Sequence, residues 1–69
     1  MLTDFLVRVT SDNIDIRTGP GIDYDMVCFA PIGLYMISRV EPGQGSKSGW
    51  GELLSGEGWI TMDGVSRTV

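Results

Sequence analysis

The sequence predicts an all-β fold: a small barrel of about five to seven short antiparallel strands. Three observations carry this. Short segments alternate apolar and polar residues, Gly-rich turns recur at roughly 8–12-residue spacing, and no window of about eleven residues has helical periodicity. Closing a short set of strands into a barrel also removes the sheet edges that invite aggregation.

The elements follow in order. Phe5-Leu6-Val7-Arg8-Val9 reads as a strand with Phe5, Val7 and Val9 on one face, and Thr10 to Asn13 as a turn. Ile14-Asp15-Ile16-Arg17 alternates strictly, the pattern of a half-buried strand. Thr18-Gly19-Pro20-Gly21 breaks it, with glycines free to take positive φ. Met26 to Ala30 is an apolar run stopped by Pro31-Ile32-Gly33, and Leu34 to Val40 is rich in β formers. Glu41 to Gly49 combines Pro, Gly and Ser and reads as a flexible loop. Trp50 to Leu54 and Trp59 to Met62 form two strands joined by the turn Ser55-Gly56-Glu57-Gly58, and Ser66 to Val69 reads as a closing strand.

With 69 residues, the chain has room for one small domain, over residues 5–69. Its longest apolar stretch, Met26 to Ala30, is too short to span a bilayer. Leu2-Thr3-Asp4 lacks the basic and apolar regions of a signal peptide, which implies an excised fragment or a parent protein that leaves the cell by another route. Cys28 excludes an internal disulfide and, inside an apolar run, reads as a small core residue. Five basic against nine acidic residues, a net charge of −4, argue against nucleic acid, anionic lipid and teichoic acid as partners.

Catalysis is not expected. Histidine is absent, which removes the usual general base, zinc ligand and nucleophile partner. Asp23 and Asp25 form a carboxylate pair, but a glycosidase needs a cleft that a chain this short can hardly build. Asp12, Asn13 and Asp15 hint at a calcium loop but lack its Gly and terminal Glu at the required spacing. No cofactor or metal is expected.

The string from Asn13 through Ile14-Asp15-Ile16-Arg17-Thr18-Gly19-Pro20-Gly21 to Tyr24 and Val27 resembles the bacterial SH3 domain family. The family signature runs Leu-Asn-Val-Arg-Ser-Gly-Pro-Gly, two variable residues, then Tyr. Gly49-Trp50-Gly51-Glu52-Leu53 followed by Ser55-Gly56-Glu57-Gly58-Trp59-Ile60 is similar to its second half. The resemblance covers about Phe5 to Val69. It departs at Asp15, where Asn is frequent, at Cys28, where Gly is common, in the longer Glu41–Gly49 loop, and at Asp63-Gly64-Val65, where relatives often carry a tyrosine near the C-terminus; if that tyrosine contributes to the groove in relatives, the groove here is altered. The Ala-Leu-Tyr-Asp-Tyr loop of eukaryotic SH3 domains is missing, so proline-rich peptides are not the expected ligand.

The resemblance implies an SH3-like barrel and a non-catalytic module that recognises the peptide part of cell-wall peptidoglycan. Such modules are appended to amidases, lysozyme-like enzymes and phage endolysins of Gram-positive hosts. In some wall peptidases the domain instead packs beside the active site and limits access. It further implies an extracellular, wall-located parent protein, with the domain itself a monomer covalently linked to a catalytic partner.

The candidate ligand-binding residues are Asn13, Asp15, Arg17, Asp23, Tyr24, Asp25 and Trp50. Tyr24 and Trp50 are amphipathic rings suited to a shallow peptide groove, although Tyr24 equally suits core packing. Arg17 either braces its loop by bonding backbone carbonyls or faces a ligand, and Trp59 is expected to pack in the barrel. Asp12, Asp15, Asp23 and Asp25 are expected around one loop, where acids beside aromatic rings suit the free amines of wall peptides. The alternative for these acids is solubility alone.

Overall fold

The computed structural model describes residues 4–67. It is all-β: β1 (Phe5–Val9), β2 (Asp15–Arg17), β3 (Met26–Phe29), β4 (Gly33–Gly43), β5 (Ser46–Leu53), β6 (Trp59–Thr61) and β7 (Val65–Arg67). All pair antiparallel in one sheet of order β3-β2-β6-β5-β4-β1-β7. The expected closing strand begins one residue earlier, at Val65, and residues 68 and 69 lie outside the described residues.

The alternation of apolar residues explains how one sheet makes its own core. Val7 and Val9 of β1, Ile14, Ile16 of β2, Ala30, Ile37 of β4, Leu53 of β5 and Ile60 of β6 form a single buried cluster. A flat sheet has no second layer to cover such a face, so this one must curl. The molecule measures 30 × 25 × 22 Å, and its smallest extent is about twice the thickness of a flat sheet layer. Phe5, Tyr35, Met62 and Val65 pack around the cluster.

A bulge keeps the charged residues out of that core. Ile37 pairs with Leu53, but Arg39 pairs with Glu52, so Ser38 is an extra residue on β4. Without it, alternation would put Arg39 on the same face as Ile37. The Ser38 hydroxyl donates to the Glu52 carbonyl at 3.3 Å. Arg39 then bonds the Glu52 carboxylate at 2.9 Å on the outer face.

Glu41–Gly49 is not a flexible loop. β4 runs on to Gly43 and β5 starts at Ser46, with Glu41 opposite Trp50 and Gly43 opposite Ser46. Only Gln44 and Gly45 turn the chain, and Gly45 takes φ +88° there. Residues 47–49 of β5 lie opposite Pro42 alone, two residues in excess, and are stapled by Asp63, whose carboxylate accepts the Lys47 N–H at 2.9 Å and the Ser48 N–H at 2.8 Å.

Both tryptophans are buried on the face opposite the core. Trp50 pairs with Thr61, and Trp59 pairs with Glu52 and Arg17. Trp59 therefore does not join the inner cluster as expected; the Arg39 guanidinium covers it, 5.1 Å from the ring centroid. Cys28 corrects a second expectation: it is exposed, as are all four residues of β3. An edge strand at the lip of a curled sheet has no neighbour to cover it.

Candidate functional site

The segment from Thr18 to Asp25 leaves the end of β2, crosses the outer face of the sheet and returns as β3. Arg17 holds it from below. Its guanidinium donates to the Tyr24 carbonyl at 2.9 Å, to the Ile22 carbonyl at 3.3 Å, and to the Asp15 carboxylate at 2.8 Å. Of the two readings of Arg17, the bracing one describes its contacts. Its Nε is buried without a hydrogen bond, an uncompensated donor that the other bonds must offset. The Thr18 N–H donates to the Asp25 carbonyl at 2.9 Å and closes the base of the loop.

The loop is pinned at a second point, the tip of the β4–β5 hairpin. The Gln44 carbonyl accepts both the Ile22 N–H at 3.1 Å and the Trp50 indole N–H at 3.0 Å. Gly43 lies so close to Pro20 that a Cβ there would overlap the Pro20 carbonyl and stand 2.9 Å from the Trp50 ring. The glycines that read as loop tissue are there for close approach. Gly19 and Gly21 likewise do not take positive φ; their missing side chains leave room for the Tyr24 ring and the Asp23 carboxylate.

This arrangement separates the candidate residues. Tyr24 is 44% exposed, with its ring edge against Gly19, and Asp23 and Asp25 flank it, both exposed. Trp50 is 2% exposed and its N–H is spent on Gln44, so its ring is not offered to a ligand; the crossing loop covers it. Asp15 is ion-paired to Arg17. Asp12 and Asn13 lie in the turn before β2, at the opposite end of that strand from Thr18–Asp25, and Asn13 accepts the Ser11 hydroxyl. The four acids are therefore not gathered around one loop: Asp23 and Asp25 remain together, Asp15 is engaged, and Asp12 is remote. Among the described residues, no group of three or more Cys, Asp or Glu is placed to hold a metal ion.

Two surfaces went unread in the sequence. One is the exposed apolar strand β3, with Met26, Val27 and Phe29 accessible. The other is an open depression of about 440 Å³ between β4 and the β5–β6 turn, lined by Leu34, Tyr35, Met36, Leu53, Leu54, Ser55 and Glu57. Burial and the neighbouring Glu57 carboxylate raise the Tyr35 pKa, and its hydroxyl donates to the Pro31 carbonyl. The only sequence signal for either surface was apolar content, which cannot separate a core strand from an exposed edge.

Among the described residues, no helix is long and apolar enough to cross a membrane. No family model, curated protein or solved structure matches the chain.

Proposed function

We propose that this chain is a non-catalytic binding module that recognises the peptide part of bacterial cell-wall peptidoglycan as an accessory to a wall hydrolase. The observation that carries the reading is the Arg17-braced loop, which presents the half-exposed Tyr24 ring between the free carboxylates of Asp23 and Asp25. An ammonium group can donate a charge-assisted hydrogen bond to a carboxylate while lying over a phenol ring. Stem and bridge peptides carry such amines, and the motif resemblance points to the same ligand class. Pre-bracing the loop lowers the ordering cost of binding. Few anchors are exposed, so single-site affinity is weak, and tethering to a catalytic domain supplies effective concentration.

Co-sedimentation with insoluble wall sacculi tests the reading. The chain is expected to pellet with native sacculi and to be released by their N-acetylation. The double substitution Asp23→Asn, Asp25→Asn is expected to reduce binding about tenfold or more, the scale of one charge-assisted contact. Retention that survives both changes removes the amine-reading site, and no retention at all removes the wall reading. Turnover of wall fragments by the purified chain would overturn the non-catalytic assignment.

The apolar β3 ribbon favours a second reading, in which the domain packs on a partner catalytic domain and binds no wall. Inhibition or activation of that partner in cis, without sacculus retention, distinguishes it.

A further inference from the structure

We propose that β3 is a self-pairing edge: two copies of this chain join antiparallel along Met26–Phe29, so that their sheets run together. This goes beyond the wall-binding reading and does not depend on it.

The two edges of the sheet are built differently. The described part of β7, Val65–Arg67, carries a charged side chain, and the Arg67 guanidinium lies 4.0 Å from the Phe5 ring centroid. β3 carries Met, Val, Cys and Phe, all exposed, with Val27 53% and Phe29 59% accessible. No charged side chain interrupts residues 26–32, in a chain whose net charge is −4. Two copies repel over most of their surface, and this neutral strand is where they can approach.

Backbone geometry supplies the bonds. The Ala30 N–H donates to the Ile14 carbonyl at 2.7 Å, and Phe29 sits opposite Asp15. Hydrogen-bonding direction alternates along an antiparallel strand, so the Phe29 N–H and carbonyl face away from β2 toward solvent.

The strand is self-complementary. A two-fold axis through Cys28 sets Phe29 of each copy against Val27 of the other, and Asp25 against Pro31. No like charges are then opposed. The bulge at Val27 and the proline at 31 end the ladder within a few residues, so the contact closes as a dimer. A contact this short falls below the roughly 1,200 Å² at which lasting complexes begin, so association is weak and is read between about 10 µM and about 1 mM. On this proposal the monomer expected from the sequence is the species at the dilute end only.

Sedimentation equilibrium of the reduced chain over that range is the test, combined with amide hydrogen exchange. Dimer mass is expected to grow with concentration, and exchange at the Phe29 amide to slow in step. Cys28→Asp, which opposes two like charges on the axis, and Phe29→Pro, which removes the outward donor, are each expected to weaken association at least about tenfold. Cys28→Ser and Arg67→Glu are expected to leave it unchanged. A wild-type monomer at the highest concentration overturns the proposal. So does a dimer that persists in folded Cys28→Asp, one that Arg67→Glu dissolves, or one whose Phe29 amide exchanges at the monomer rate. These readouts use the wild-type chain as well as variants, so a variant that fails to fold does not decide the matter.

Discussion

Two side chains do work out of proportion to their exposure. Arg17 joins three acceptors on two segments, and a lysine in its place is a single compact charge that cannot span them. Arg17→Lys is therefore expected to destabilise the fold by about 1–3 kcal/mol, measured by urea unfolding, and to loosen the loop that presents Tyr24. Asp63 acts near the tip of the β4–β5 hairpin. The Lys47 and then the Ser48 backbone N–H groups hold its carboxyl below the ordinary value of 3.8. A carboxyl whose folded pKa is depressed contributes stability that is present above its unfolded pKa and lost as pH falls through the folded one. Thermal unfolding should thus show a decline below about pH 4 that is smaller in Asp63→Asn, which also starts from a lower Tm at neutral pH. An identical acid limb in the variant would show that Asp63 contributes nothing to it.

The hairpin and the crossing loop act as one element. Gln44 accepts a bond from each side, Pro20 sits against Gly43, and Ile22 packs on Gly45. Gly43→Ala places a methyl where the Pro20 carbonyl lies, and overpacking of this kind costs about 1–3 kcal/mol. Its distinctive outcome is coupled loss: amide protection at Ile22 and indole N–H protection at Trp50 should fall together, because both donors share the Gln44 carbonyl. Protection lost at only one of them would mean that loop and hairpin move separately. The Ser38 bulge belongs to this scale too, since one inserted residue decides that Arg39 stacks on Trp59 and does not enter the core.

At the scale of the whole molecule, one small cluster holds the curled sheet. A domain of this size buries only about 60% of its unfolded surface, and total stability is on the order of 5–15 kcal/mol. Ile37 is fully buried between β1 and β5 partners, so Ile37→Ala should remove about 2–5 kcal/mol. That is a large share of the whole, and the expected result is a single cooperative transition at much lower urea, with all probes coincident. Unfolding of one edge before the rest would contradict a single shared core. Far-ultraviolet circular dichroism should show strand and no helix signal.

Local pattern was enough to read the strands whose faces differ. Val7 and Val9, and Ile14 and Ile16, declared themselves because a period of two assigns each residue a face. The loop at Thr18–Gly21 was also legible, since turn chemistry is local, whereas the sequence left Arg17 open between bracing and ligand contact. Three features required the tertiary structure. The Glu41–Gly49 composition signals a loop, yet its glycines are small so that Pro20 and Ile22 can approach. Trp50 looks like a surface ring until the crossing loop covers it. Met26–Phe29 reads as core but stands exposed, because apolar content is a property of the strand while exposure depends on which strand lies beside it, and β3 has a neighbour on one side alone in the described sheet.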